Sequence, residues 1–199
     1  MAPQPVLNAI WGQNSPEHGV APALVLINPK YDANVAKAIR LASCYGMQQV
    51  WWTGNRVTLD QKRRLPREER MKGYKDVSMI QYDRPFDQFP ANVTPVAIEV
   101  RENSENLLQF EHPENPVYVF GPEDGSIDRV LLGHCHRFVV IPTRHCLNLA
   151  TAIATVLWDR RYKQWMNGED ANVMTPGQFE ARGLAAEPEM DSLLALESR

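Results

Sequence analysis

No stretch of this chain approaches the roughly 18 consecutive apolar residues that a membrane-spanning helix needs, and Met1-Ala-Pro-Gln-Pro has neither the basic start nor the apolar middle of a signal peptide. The expectation is a cytoplasmic protein without a membrane segment. Cysteine is scarce: Cys44, Cys135 and Cys146 are odd in number and follow no framework spacing, which excludes a disulfide scaffold and implies reduced thiols. Neither Cys-x-x-Cys nor His-Glu-x-x-His occurs, so a zinc hydrolase built on His134, Cys135, His136, His145 and Cys146 is disfavoured and no metal is expected. No Gly-x-Gly-x-x-Gly follows any predicted strand, which counts against a dinucleotide-binding enzyme. Internal repeats and low-complexity runs are absent as well.

What is present suits one globular domain with a tail: 199 residues, 44% of them hydrophobic, are enough to bury a sizeable core. The net charge of −3 is unevenly spread. Between Arg56 and Asp76 eight Lys or Arg stand against four acids, whereas residues 166–199 hold seven acids against Arg182 and Arg199. A local basic stretch is the electrostatic footprint of phosphate contacts, and interleaved acids also suit a solvated helix. Arg56, Arg63, Arg64 and Arg67 are the candidate phosphate contacts. The acidic tail would repel a phosphate backbone and is expected to lie away from that face or to screen it against nonspecific binding.

Strands and helices alternate along the chain. Ala23–Ile27 reads as a first strand, Val35–Tyr45 as a helix closed by Gly46, and Gln49–Thr53 as a second strand, together a βαβ unit. Val77–Tyr82, Thr94–Val100, Val117–Phe120 and Arg137–Ile141 read as further strands. Ser104–Phe110, Ser126–Cys135 and Leu147–Trp165 read as helices. Short runs apolar on both faces belong in a covered, mostly parallel sheet flanked by helices, an α/β fold. The organisation expected is an N-terminal extension over 1–22, a domain over 23–166 and an acidic extension over 167–199.

Three motifs carry the chemistry. Asn28-Pro-Lys-Tyr-Asp-Ala-Asn34 leads into a helix on which Val35, Ile39 and Ala42 share a face, with Arg40 near the margin of that stripe. Val117-Tyr-Val-Phe-Gly-Pro-Glu-Asp-Gly125 is an apolar strand stopping at a Gly-Pro break. Phe138-Val-Val-Ile-Pro-Thr-Arg-His-Cys-Leu-Asn148 is a second such strand, leading into a helix whose N-terminus offers backbone donors and a partial positive charge. Ligands of open α/β sheets bind beyond the carboxyl ends of the strands, where all three motifs open. Taken alone, Asn148 is a helix cap.

In this order the motifs resemble the SPOUT methyltransferases, specifically the TrmH or SpoU branch, over about Ala23 to Trp165. The matching features are Asn34 six residues before Arg40 with Gly46 closing the helix, Phe-Gly-Pro-Glu-Asp-Gly at 120–125, and Ile-Pro followed by Leu-Asn at 141–148. Cys146 departs from the serine usual in that family, and the stretch from Ile141 to Cys146 is short.

The resemblance implies a parallel sheet whose C-terminal part forms a trefoil knot, and S-adenosylmethionine as cofactor, used to methylate a ribose 2′-hydroxyl of RNA. Carried onto this chain, the cofactor positions are Ile98, Glu99, Gly121, Ile141, Cys146 and Leu147. The catalytic positions are Arg40, Asn34, Glu123 and Asn148. A glycine at 121 permits close backbone approach, and apolar residues at 98, 141 and 147 suit an adenine. The family also implies a homodimer whose site draws the motif-one arginine from the partner subunit, and Trp158 and Tyr162 suit an interface. With about 22 residues ahead of the first predicted strand there is no room for a separate RNA-binding domain, so transfer RNA is expected over ribosomal RNA. A non-catalytic RNA-binding member of the fold is the remaining alternative.

Overall fold

A computed structural model describes residues 6–7, 21–57 and 77–169. The elements in chain order are β1 (Val6–Leu7), β2 (Ala23–Leu26), α1 (Asp32–Tyr45), β3 (Gln49–Trp52), β4 (Ser78–Gln81), β5 (Thr94–Ile98), β6 (Glu105–Asn106), β7 (Pro116–Phe120), α2 (Arg129–Leu132), β8 (Arg137–Val140) and α3 (Leu149–Met166). The strands form one sheet in the order β1-β4-β3-β2-β7-β5-β8-β6. Every neighbouring pair is parallel except the edge pair β1 and β4. Residues 1–163 make one compact unit and 164–199 a second. Among the described residues no helix is long and apolar enough to cross a membrane.

The period-two alternation of the strands sorts their side chains into two cores. Leu24 and Leu26 of β2 join Val50, Val96, Tyr118 and Phe120 on one face, against Val35, Ile39 and Ala42 of α1 and Ile153, Val156 and Leu157 of α3. Ala23, Val25 and Ile27 point the other way with Trp51, Ala97, Val117 and Val119, covered by Ile127, Leu131, Leu132, Phe86 and Phe89. With both faces covered, β2 and β7 are buried throughout, which is why they read as unbroken apolar runs. Burial also explains α1. Its N-cap, Tyr31, makes no side-chain capping bond; a missing cap costs ~1 kcal/mol, whereas each buried Val or Ile contributes about 1.5–3 kcal/mol. The helix stops at Gly46, whose φ of 72° lets its N–H reach the Ala42 carbonyl.

Two predicted helices are corrected. Over Ser104–Phe110 the chain forms β6 and then a single 3-10 turn, Leu107–Gln109. Ser104 does not cap a helix: its hydroxyl donates to the Glu99 carbonyl at 2.9 Å and accepts the Arg101 N–H at 3.2 Å, closing a turn after β5. Glu105 and Asn106 then pair with Val139 and Val140 of β8, and Asn106 caps the 3-10 turn through the Leu108 N–H. The predicted helix at Ser126–Cys135 shrinks to Arg129–Leu132. Ile127 is drawn into the second core and its N–H bonded to Glu99, so the helix starts only after Asp128, which caps the Val130 N–H at 2.7 Å. Smaller differences are that α1 begins earlier, at Asp32, and that Asn148 stands outside α3. Residues 58–76, which hold most of the basic stretch, lie outside the described residues.

A polar chain is buried beside the first core. His112 Nδ1 lies 2.6 Å from the Tyr118 hydroxyl and its Nε2 2.8 Å from Asp159 of α3, where Lys163 also binds. A carboxylate only accepts, so Nε2 carries the proton and the Tyr118 hydroxyl donates to Nδ1. Burial pushes His112 down to about 4, against the upward pull of Asp159, and raises the Tyr118 hydroxyl. A histidine at 6.5 when unfolded and about 4 when folded contributes its full stability above pH 6.5 and loses it as pH falls toward 4, on the order of 3 kcal/mol in all. Urea melts at pH 7.5 and pH 5 should therefore show a steeper acid loss in the wild type than in His112→Gln; equal slopes would place the sensitivity elsewhere.

Candidate active site

The carboxyl ends of β5, β7 and β8 and the segment entering α3 enclose a cavity of about 470 Å³, within the range of small-ligand sites. Its walls include Ile98, Glu99 and Val100 after β5, Phe120 to Glu123 after β7, and Ile141, Thr143 and Cys146 to Asn148 after β8. All six residues predicted to bind the cofactor are among them. Sequence places these segments about twenty residues apart or more. The register that sets Ile98 beside Phe120 and Val139 brings them together.

Each wall is locked by its own bonds. The Glu99 N–H donates to the Val139 carbonyl at 3.0 Å, while its carboxylate accepts the Ile127 N–H at 3.2 Å. Gly121 sits against this junction: a Cβ there would come within 3.2 Å of Ile127 Cγ1 and 3.7 Å of Glu99 Oε2. The loop after β8 is tied by the Thr143 hydroxyl, which donates to the His145 carbonyl at 2.8 Å. Asn148 caps α3, its Oδ1 accepting the Ala150 N–H at 3.0 Å, so the cap and the cavity wall are the same residue.

The first motif meets the second through carboxylates. Asn34, 4% exposed, donates from Nδ2 to Glu123 Oε1 at 2.6 Å, and the Lys30 N–H donates to Oε2 at 2.7 Å. Partial burial opposes ionisation of Glu123, but the donors from Asn34 and the Lys30 backbone prevail and hold its carboxyl below the usual range. The adjacent Asp124 takes a two-pronged bond from Arg56 at 2.9 and 2.8 Å, with Lys30 Nζ at 3.3 Å. Arg56 first, then Lys30, draw Asp124 down to about 2. Arg56 also reaches the Asn28 carbonyl at 3.4 Å, tying the ends of β2 and β3 to the loop after β7.

The predicted catalytic residues therefore separate. Glu123 and Asn148 line the cavity, and Asn34 is buried behind Glu123. Arg40 is half-buried on α1, six residues and so ~9 Å of helix beyond Asn34, and is not part of the cavity wall among the described residues. Of the predicted phosphate contacts, Arg56 is engaged with Asp124, and Arg63, Arg64 and Arg67 lie outside the described residues. The histidines and cysteines at 134–136 and 145–146 do not form a metal site among the described residues. His134 stacks on Phe86 at 5.0 Å, and Cys135 is buried, its thiol pushed up to about 12. Among the described residues no group of three His, Cys, Asp or Glu is placed to hold a metal. Sequence reasoning missed Tyr31, Lys30 and Asp124. The signal was their place within the first and second motifs.

The sequence profile of the SpoU rRNA Methylase family matches residues 21–158. The chain belongs to this family. No curated protein matches it significantly in sequence. Its fold is shared with solved members. The A. aeolicus TrmH/SpoU tRNA modifying enzyme superposes with a TM-score of 0.62 at 16% identity, over 80% of this chain and 83% of that one. AviRb, a SpoU methyltransferase from Streptomyces viridochromogenes in complex with AdoMet, gives 0.63 at 14% identity, over 74% of this chain and 59% of that one. A protein described for 2-OH methylation of C/U34 on tRNA gives 0.60 at 20% identity, over 73% and 96%. The mostly parallel sheet and flanking helices are thus those of RNA methyltransferases of the SpoU family.

Proposed function

We propose that this SpoU-family protein transfers the methyl group of S-adenosylmethionine to a ribose 2′-hydroxyl of RNA, transfer RNA being the favoured substrate. The observation that carries this reading is the convergence of all six expected cofactor positions on one cavity at the strand ends. The cavity fits the cofactor chemically. Ile98, Ile141 and Leu147 offer apolar walls for an adenine, Gly121 lets a ligand approach the backbone, and Glu99 and the N-terminus of α3 supply polar groups. When bound, S-adenosylmethionine supplies an electrophilic methyl that needs no further activation. The protein's part is to hold the ribose oxygen in line and to favour its loss of a proton.

Within this reading Glu123 is a positioning residue, since both of its oxygens already accept bonds from Asn34 and Lys30. Asn148 spends its oxygen on the helix cap and presents its amide N–H groups as donors. Arg40 binds the target phosphate or stabilises the developing alkoxide, because a protonated guanidinium has no acceptor with which to act as base. Its place on α1, outside the residues that line the cavity of its own chain, supports a site completed by a second copy. Trp158 and Tyr162, 62% and 50% exposed one helical turn apart on α3, offer an apolar face for that homodimer. The knotted passage of the C-terminal segment belongs to the same reading. For the substrate, the chain spans 83% and 96% of the two structures described for tRNA, so the catalytic body alone accounts for nearly their whole length.

Incubating total RNA with labelled S-adenosylmethionine and mapping the labelled nucleotide tests the proposal. Label in transfer RNA at a ribose, undiminished by a chelator, is the expected result. Label confined to ribosomal RNA would overturn the substrate, and label on bases the reaction.

A further inference from the structure

Two aromatic side chains line the cavity, and they differ sharply. Phe120 is 2% exposed and belongs to the core, whereas Tyr31 is 52% exposed at the mouth. Such exposure of a large ring is costly in apolar surface, and it leaves part of the ring at the cavity open to a ligand. Yet its backbone is among the better fixed parts of the site. Tyr31 is the N-cap of α1, its carbonyl accepts the Asn34 N–H at 3.1 Å and the Val35 N–H at 3.5 Å, and the preceding Lys30 N–H is bonded to Glu123. The Lys30 ammonium lies 5.5 Å from the ring centroid and 3.3 Å from Asp124. A rigidly mounted ring beside a cation, at the rim of a cavity, is how proteins hold one unstacked nucleotide: the ring takes the base face and the cation a phosphate.

We propose that Tyr31 is the stacking platform for the base of the nucleotide being methylated, with Lys30 meeting a flanking phosphate. The proposal rests on the RNA methyltransferase reading and adds how the target nucleotide is held. Methylation at the ribose leaves the base free to be gripped, so a π-face tolerant of base identity gives placement without demanding a particular sequence. Lys30 is exchanged from Asp124 to the phosphate on binding, while Arg56 keeps Asp124 neutralised and the loop in place.

The test uses the full chain, labelled S-adenosylmethionine and the RNA in which the methylated position has been mapped. Tyr31→Leu should raise the KM for RNA about tenfold, as expected for loss of one base-stacking contact, with cofactor affinity within about twofold of wild type. Tyr31→Phe and Tyr31→Trp should keep the wild-type KM. An RNA with an abasic ribose at the mapped position should bind wild type about tenfold more weakly than intact RNA, and Tyr31→Leu should show no such difference. An unchanged KM in Tyr31→Leu, a loss shared by Tyr31→Phe, a matching loss of cofactor affinity, or an abasic penalty that survives in Tyr31→Leu would each overturn the platform alone. No methyl transfer by wild type to any RNA would remove the methyltransferase reading, and the platform with it.

Discussion

Replacing Arg40 with alanine is expected to lower methyl transfer to RNA by about 10²–10³-fold, the loss typical of one charge-stabilising donor, while cofactor affinity stays within about twofold. The separation follows from position. Arg40 stands on α1 about 9 Å along the helix from Asn34, and the cavity that carries the expected cofactor positions is built from the ends of β5, β7 and β8 without it. If the guanidinium enters the site of a second copy, chains carrying Arg40→Ala and chains carrying Asn148→Ala are each inactive alone and complement each other when mixed. Random exchange makes half the dimers mixed, each with one intact site, so roughly a quarter of the wild-type rate should return. No recovery after exchange has been verified by sedimentation would sink the shared site. Equal loss of turnover and cofactor binding in Arg40→Ala would instead move the arginine into the cofactor pocket.

Glu123→Ala should damage both stability and turnover, for a reason visible in two hydrogen bonds. The carboxylate is the acceptor for the Asn34 amide at 2.6 Å and for the Lys30 N–H at 2.7 Å. Asn34 is 4% exposed, and leaving a buried donor unmatched costs about 1–3 kcal/mol. The loop before α1 then loses its tie to the loop after β7, and both flank the cavity. Glu123→Gln is the informative comparison: a glutamine oxygen accepts the Lys30 N–H, and Asn34 turns its own amide to meet the new N–H₂, so most of the stability should return. The bond system also has a sign in pH. The carboxyl is held below its ordinary 4.5, so its contribution is present above that value and is lost as the pH falls through the lower, folded one. Urea midpoints at pH 7 for the three proteins, with turnover measured alongside, decide the matter; an alanine variant as stable as wild type would show that the junction holds without Glu123.

The α/β alternation, the mostly parallel sheet and the three strand-end motifs were legible along the chain because each has a local cause. Val117–Phe120 reads as a covered strand because every position is apolar, and Gly46 ends α1 because its φ of 72° suits glycine above all other residues. The second and third motifs also carried four of the six cavity positions, Gly121, Ile141, Cys146 and Leu147, and the end of the predicted strand Thr94–Val100 carried Ile98 and Glu99. Local signals failed where a distant partner outbid them. Ser104 looked like a helix cap and was captured by the Glu99 carbonyl; Ile127 looked like the first turn of a helix and was drawn into the second core, its N–H taken by Glu99. The same holds for charge. Arg56 reads as a phosphate contact in a basic stretch, but Asp124, 68 residues away, holds it with two bonds. Sequence alone thus determined the βαβ start, the main strands, the two long helices and the candidate site residues, because propensity, periodicity and motif spacing are properties of neighbouring residues. Only the tertiary structure decided that Glu123 is spent on Asn34 and Lys30, that Asn148 is both cap and wall, and that Tyr31 stands exposed at the mouth. Those facts depend on the sheet order that sets β7 between β2 and β5, and strand order is fixed by packing across the whole domain.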